Sequence, residues 1–232
     1  MKSFKLTIFF FFAFAYTMMA QTVELDFAGH DSAYVETIKV RSQKIVDKLE
    51  IKNPATELNV RNIIANRYFQ LNDIYEARDL ANKEVDNIKI LFSDEQKKNE
   101  KEKILNKTDA ELYRTHAAYL AALSLFLDNA RIDKVKDEMT YGVLMVTYTA
   151  TLEMIPSLKE EEKKQIYAWL WEAREYAMNA ENSNKKHGVF GKYKGRINNY
   201  LSKRGYNLTE ERKAWEQRIA EKQAKENKKK VK

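Results

Sequence analysis

The chain has 232 residues, of which 41 are Lys or Arg and 34 are Asp or Glu, for a formal net charge of +7. It contains no cysteine, which excludes disulfides, thiolate metal sites and thiol nucleophiles, so its stability must come from packing. Only six glycines and two prolines occur, which predicts few tight turns and a single compact all-α domain of a size that one core can support.

The first 20 residues have the layout of a secretory signal peptide. Lys2 and Lys5 precede an apolar run over residues 6–16, and the segment ends at Ala20. We expect cleavage between Ala20 and Gln21, and a periplasmic or secreted mature protein. A membrane anchor is the alternative, but about 15 apolar residues are fewer than the roughly 20 that cross a bilayer. No stable membrane insertion is expected after cleavage.

Residues 21–30 are predicted to be a linker, and residues 31–206 a domain of about six to seven antiparallel helices. Asp31 can cap a first helix that runs to about Leu49, and Asn53 with Pro54 can begin a second. Residues 84–106 are highly charged, which predicts a solvated helical arm or hairpin tip. The apolar pattern resumes at residues 112–126, and we expect His116 within it to be buried and hydrogen-bonded rather than a metal ligand.

Residues 139–156, MTYGVLMVTYTATLEMIP, fit either a strand or a helix. We favour a helix because no second strand is available to pair with it. Gly142 is then the C-cap of the preceding segment and Pro156 ends the helix. Ser157, with Glu160 three residues later, has the spacing of a capping box and predicts the start of the next helix.

Residues 185–206, KKHGVFGKYKGRINNYLSKRGY, contain four of the six glycines and seven Lys or Arg, without an acidic residue. At about 100° per residue the segment separates into three stripes of a helix. These are a small-residue stripe, an apolar stripe and a basic stripe: Gly188, Gly191, Gly195, Asn198 and Ser202; Phe190, Tyr193, Ile197, Tyr200 and Leu201; and Lys192, Arg196, Asn199 and Lys203.

Three glycines inside a helix cost roughly 2 to 3 kcal/mol relative to alanine. A neighbouring helix packed closely on the small-residue stripe is the favoured explanation, and a ligand that approaches the bare backbone is the alternative. Gly205 can end this helix. Asn207 can then begin the last element, residues 207–232, which is predicted to be a basic C-terminal helix with a frayed tail.

The sequence lacks the common catalytic and cofactor motifs. HExxH, GxSxG, Walker and GxGxxG patterns do not occur, and the three histidines are dispersed. We therefore assign no catalytic residue, no metal and no cofactor, and favour a binding protein over an enzyme. The basic C-terminal quarter after an acidic body predicts an anionic partner, and export argues against nucleic acid.

Five segments resemble the exported, typically Bacteroidetes family known as domain of unknown function 3826: KIVDKL, NIIANRYFQLNDI, VKDEMTYGVLMVTY, EAREYAM and FGKYKGRINNYLSKRGY. The resemblance covers residues 31–206. It implies a setting beside the breakdown of pectin and related plant polysaccharides. It also marks these motif positions: Tyr141, Gly142, Arg174, Glu175, Lys192, Lys194, Arg196, Asn198 and Asn199. The segment HGVF departs from the family's pattern, which puts a role for His187 in doubt.

Three functions remain open at this point. The first is an accessory protein that binds an anionic oligosaccharide, with Lys192, Lys194 and Arg196 pairing with uronate carboxylates while Tyr193, Tyr200 or Trp169 stacks on sugar rings. The second is a polysaccharide-processing enzyme such as a lyase, in which Lys or Tyr abstracts a proton beside an Arg-neutralised carboxylate. The third is a periplasmic chaperone of the holdase type. The oligomeric state is not predicted.

Overall fold

The computed structural model describes residues 22–87 and 93–230; the predicted signal peptide and its cleavage point lie outside these ranges. The described residues form one compact all-α domain without strands, as predicted. They contain eight α-helices, of which seven lie within residues 31–206, in agreement with the predicted six to seven, and the eighth lies in the predicted C-terminal segment. These are α1 (Ser32–Val46), α2 (Pro54–Asn87), α3 (Asp94–Ser124), α4 (Asn129–Met139), α5 (Val143–Met154), α6 (Glu160–Met178), α7 (Ser183–Lys203) and α8 (Leu208–Lys230), with a short 3-10 helix (Asp47–Leu49) after α1. No helix in this part of the chain is both long and apolar enough to cross a membrane.

The first half of the domain packs α1, α2, α3 and α4 around one apolar cluster. Ile64, Leu123 and Val135 are fully buried at its centre. The predicted linker lies against this half, because the Val23 N–H donates to Asn59 Oδ1 at 2.7 Å and Asn66 donates to the Glu24 carbonyl at 2.8 Å. The residues before α1 therefore have fixed contacts along α2.

A second apolar cluster joins α5, α6 and α7. The fully buried Leu170 and Ala173 of α6 meet Phe190, Ile197 and Leu201 of α7. These three α7 residues belong to the apolar stripe of the sequence analysis. Burial of that stripe against α6 determines which faces of α7 remain in solvent.

Several helix ends lie where the sequence predicts them. Asp31 accepts hydrogen bonds from the first turn of α1, and Asn53 accepts one from the Thr56 N–H at 3.0 Å. Gly205 has a φ of 95° and ends α7. The predicted capping box at Ser157 is wrong. The helix begins at Glu160, because the Lys159 N–H donates to the Glu162 carboxylate at 2.9 Å.

The turn between α4 and α5 departs from the prediction that Gly142 caps α4. Tyr141, which precedes it, already has a left-handed backbone, with a φ of 61°. The Gly142 N–H then reaches back to the Asp137 carbonyl at 2.8 Å. This is the bond pattern of a Schellman end, in which the left-handed residue is normally glycine. Tyr141 therefore holds a conformation that is unfavourable for its residue type.

The small-residue stripe of α7 does not contact a neighbouring helix. A Cβ atom added at Gly188, Gly191 or Gly195 would meet no atom within 4 Å. The prediction of close helix packing at these glycines is therefore wrong. The physical reason is that Phe190, Ile197 and Leu201 bury the opposite side of the helix, so the glycine side faces solvent.

The C-terminal segment forms one helix over residues 208–230, in the place where a basic C-terminal helix was predicted. The early part of α8 packs against α5, where Arg218 donates to the carbonyl oxygens of Glu153 and Met154 at 2.9 and 3.1 Å. These bonds satisfy carbonyls at the end of α5 that lack partners within that helix.

Candidate functional site

The basic stripe of α7 borders an open depression between α6 and α7, which we call the α6–α7 groove. Its volume is about 650 Å³, and its lining is apolar and basic: Trp169, Lys192, Gly195, Arg196, Asn199, Tyr200 and Lys203. Five of the eleven predicted site residues are thus brought together: Trp169, Lys192, Arg196, Asn199 and Tyr200. They meet because the basic and aromatic residues lie one helical turn apart on α7 and face a tryptophan of α6.

Arg196 and the aromatic residues form a stacked unit inside this groove. The Arg196 guanidinium carbon lies 4.5 Å from the centroid of the Trp169 ring. The Tyr200 ring meets Trp169 edge-on, with centroids 5.2 Å apart. A guanidinium over an aromatic face retains its N–H donors at its edges, so Arg196 is held in place and still able to bind a carboxylate.

One acidic residue lies within reach of Arg196. Glu172 Oε2 is 3.5 Å from Arg196 Nη1, and both side chains are about half exposed. Exposed ion pairs of this kind contribute little to stability, and a ligand carboxylate can compete with them. Glu172 was not predicted as a site residue, because a contact between two helices cannot be recognised from residue spacing along one of them.

Tyr193 lies on the edge of the second apolar cluster rather than in the groove. Burial and the neighbouring Glu172 carboxylate raise the pKa of Tyr193 to about 12. The phenol is therefore protonated at neutral pH, where it can donate a hydrogen bond to Glu172. Lys194 and Asn198 are exposed on α7 and do not line the groove.

Arg174 and Glu175 belong to a different place, a polar network between α3, α4 and α6. Arg174 is only 3% exposed, and its guanidinium donates to Asp137 at 2.7 Å and to Asp133 at 2.6 Å. Burial lowers the pKa of Arg174, but these two carboxylates outweigh burial and raise it above its ordinary value. Arg174 is thus committed to internal partners, and the acid pair Asp133 and Asp137 has a structural role that spacing alone did not indicate.

Glu175 is held in the same network from three sides. It accepts from Lys136 at 3.0 Å and contacts His116 Nε2 at 3.1 Å. Burial raises the pKa of Glu175, but His116, Lys136 and Arg174 outweigh it, and the net pKa is lowered. His116 also contacts Asn179 at 3.0 Å, so the prediction of a hydrogen-bonded, largely buried histidine agrees with the structure.

Tyr141 lies apart from both of these places, at the turn between α4 and α5. Its side chain is about half exposed, and its ring stacks on His187 of α7, with centroids 5.5 Å apart and planes 12° from parallel. The predicted site residues thus fall into the α6–α7 groove, the polar network around Arg174, and this turn. Sequence motifs alone gave no reason to separate them.

Comparison with known proteins adds one match. A family model described as "Protein of unknown function (DUF3826)" matches residues 35–221. The match includes the α6–α7 groove, the polar network and the turn at Tyr141. No curated protein matches the chain.

Proposed function

We propose a function for this chain, which belongs to the DUF3826 family of proteins of unknown function: it binds an acidic polysaccharide through the α6–α7 groove. The observation that carries the proposal is the Arg196 guanidinium stacked at 4.5 Å on Trp169, in an open groove that Lys192 and Lys203 also line. Stacked guanidinium groups and lysines are suited to the carboxylates of uronate sugars.

The shape of the groove supports a polymer rather than a small enclosed ligand. Its volume of about 650 Å³ lies within the usual range of ligand sites, but it is open to solvent along α7. A depression of about 410 Å³ between α2, α3 and the N-terminal segment is a poorer candidate, because Asp26 and Asp73 line it and repel an anion.

The stacked arrangement also refines which groups meet the sugar. Arg196 already covers a face of Trp169, so that face is not free to stack on a sugar ring while Arg196 stays in place. Arg204 lies 5.8 Å from the Tyr200 ring in a similar way. Carboxylate recognition by Arg196 and Lys192 is therefore the main interaction we propose, and ring stacking is secondary.

We also propose that the protein acts outside the cytoplasm, in the periplasm or as a secreted protein, because residues 1–20 have the layout of a signal peptide. A polysaccharide outside the cytoplasm would be accessible to the protein in that compartment. Determination of the mature N-terminus by mass spectrometry checks this step, and we expect Gln21.

Titration calorimetry with oligogalacturonides tests the proposal. We expect binding that weakens with added salt, because the contact is between exposed charges. Replacing Lys192 and Arg196 together by alanine removes two charge-assisted contacts and should weaken binding about a hundredfold. Glu172→Gln should strengthen binding a few-fold, since it removes the internal competitor of Arg196.

Lys194→Ala is the matched control, because Lys194 lies on the same helix with the same charge but outside the groove. It should change the affinity less than twofold. Equal losses in Lys194→Ala and Lys192→Ala would mean that only the overall charge of the protein matters. No heat of binding at millimolar oligogalacturonide would reject the function itself.

A further inference from the structure

Lys186, in the first turn of α7, is a buried cation without an acidic partner. The residue is 5% exposed, and its ammonium group donates to the Met139 carbonyl at 2.9 Å. It forms no ion pair with any residue in the described ranges. Burial of a charge normally requires a counter-charge, and the start of a helix is an unfavourable place for a positive group. Both the burial of Lys186 and its position at the start of a helix thus disfavour its positive charge.

A second cation shares the same aromatic neighbour. The Lys186 Nζ atom lies 5.6 Å from the centroid of the Tyr68 ring, and the Arg41 guanidinium carbon lies 5.4 Å from it. Arg41 is exposed on α1 and, in the part of the chain that the structure describes, it also forms no ion pair. Burial lowers the pKa of Lys186 to about 8, and the charges of Arg41 and Arg67 act in the same direction. Helices α1, α2 and α7 therefore bring uncompensated positive charge to one point.

The turn at Tyr141 lies beside these cations. The Met139 carbonyl that accepts from Lys186 lies two residues before Tyr141, and the Tyr141 ring stacks on His187, the residue next to Lys186. Tyr141 has a left-handed backbone, which is costly for a non-glycine residue. Strained residues of this kind often occur at ligand sites, where the surrounding structure holds them in place. Tyr141 and His187 are exposed, so a ligand in solution can reach them.

We propose that Arg41, Lys186 and Tyr68, bordered by the Tyr141–His187 pair, form an anion-binding site separate from the α6–α7 groove. The ligand group is an oxyanion, either a carboxylate or a phosphate, which supplies the counter-charge that the protein lacks here. The phenol hydroxyls of Tyr68 and Tyr141 and the imidazole of His187 are suited to hydrogen bonds with the rest of a hydroxylated ligand. This site does not depend on the function proposed for the groove.

Thermal unfolding of the mature protein at constant ionic strength tests the proposal. Galacturonate is the carboxylate probe, inorganic phosphate is the phosphate probe, and glucose is the neutral control. We expect at least one of the two anions to raise Tm with increasing concentration, because a ligand that binds only the folded state stabilises it. Glucose should have no effect. The anion with the larger effect identifies the ligand chemistry.

The variants are Arg41→Gln and Lys186→Met, with Lys194→Gln as the control for loss of one exposed charge. The control should keep the full Tm shift, whereas Arg41→Gln should weaken the affinity for the anion about tenfold or more. Arg41 is exposed, so this variant remains informative even if Lys186→Met does not fold. The same titrations in a variant with both Lys192 and Arg196 replaced by alanine separate this site from the groove, because a Tm shift that remains in that variant and is lost on adding Arg41→Gln belongs to this site.

Nuclear magnetic resonance of labelled lysine measures the titration midpoint of Lys186. This midpoint would not change on addition of the anion if Lys186 had only a structural role. Saturation with the anion should raise the titration midpoint of Lys186 by more than about one pH unit, because the counter-charge favours the ammonium form. An unchanged midpoint, an equal Tm shift in Arg41→Gln and Lys194→Gln, or no shift with either anion at about 50 mM would overturn the proposal.

Discussion

Arg174 and Lys186 are two cations of nearly equal burial, at 3% and 5% exposure, but their electrical surroundings are opposite. Arg174 forms ion pairs with Asp133, Asp137 and Glu175. Lys186 has a carbonyl oxygen as its hydrogen-bond acceptor, and the charges nearest to it are positive. The pKa of the first is raised and that of the second is lowered.

The difference separates a structural charge from one available to a ligand. The charge of Arg174 is matched by carboxylates, which offset its desolvation cost, so it has little to gain from a further anion even though its Nε–H has no acceptor among the described residues. A buried charge that lacks a counter-ion makes the folded state less stable than it could be, and a bound anion would relieve that cost. Burial alone therefore says little about function. The charged groups around a buried cation determine whether it can bind a ligand.

Replacing Arg174 by methionine should give the largest effect on stability. It leaves the partly buried Asp137 without its cation, while Glu175 keeps its contact with Lys136 and the more exposed Asp133 can return to water. Removing one partner of a buried pair costs about 3 to 5 kcal/mol, and the exposure of Asp133 favours the lower end. Urea denaturation measures the change.

Arg114→Met is the matched control for this experiment. Arg114 pairs with Glu111 on the surface of α3, and both side chains are exposed. Loss of such a pair should cost less than about 0.5 kcal/mol. If the two variants lost similar stability, the distinction between buried and exposed pairs drawn here would be wrong.

The next effect is a dependence of the folding stability on pH, to which Lys186 is the main contributor between pH 8 and 10. Its folded pKa of about 8 lies below the ordinary 10.5, so between these values the unfolded chain binds more protons and stability rises with pH. Arg41, Arg67, Tyr68 and Tyr141 face or adjoin this group. Above pH 10 two further effects oppose each other: burial raises the pKa of Tyr68 to about 12, which lowers stability once unfolded tyrosine ionises, and burial lowers the pKa of Arg67 to about 10, which raises stability with pH.

The useful window is therefore pH 8 to 10. Between these limits wild-type protein without added anion should gain about 2 kcal/mol relative to Lys186→Met, as urea denaturation at constant ionic strength would measure. Parallel profiles for the two proteins would show that Lys186 has an ordinary pKa. A bound oxyanion should flatten the wild-type profile, because it raises the folded pKa.

Sequence periodicity predicted the all-α fold because long apolar stripes and capping residues are local signals. Asp31, Asn53 and Gly205 each act within one turn of their own helix. The start of α6 was missed because Ser157 with Glu160 and Lys159 with Glu162 have the same spacing. The choice between them depends on Leu158, which is buried in the second apolar cluster, and a tertiary contact of that kind is not visible in a local pattern.

The candidate site was predicted only in part, for a similar reason. A helical wheel shows which residues share a face, and it grouped Lys192, Arg196 and Asn199 as the structure does. It does not show which face meets a neighbour, so the glycine stripe was wrongly expected to pack. Lys186 lies four residues before Phe190, on the buried apolar stripe, and that placement was a signal available in the sequence.

The smallest predicted effect concerns Tyr141 and Gly142, the two residues with a left-handed backbone in the α4–α5 turn. Substitution of Tyr141 should increase stability, and substitution of Gly142 should decrease it. Tyr141→Gly removes backbone strain of about 1 to 2 kcal/mol, but it loses the ring contact with His187 and makes the unfolded chain more flexible, so a net gain of up to about 1 kcal/mol is expected. Gly142→Ala places a Cβ at a φ of 64° and should cost about 1 kcal/mol, although no atom lies within 4 Å of that Cβ.

Thermal unfolding of both variants measures this pair of changes, and anion titration of Tyr141→Gly then connects it to the Lys186 site. If the strain is retained for ligand binding, Tyr141→Gly should be at least as stable as wild type yet respond less to the anion. A variant that is less stable by more than about 1 kcal/mol would mean that the Tyr141 ring has a structural role. Tyr141 would then resemble Arg174, as a residue whose contacts stabilise the fold and are not available to a ligand.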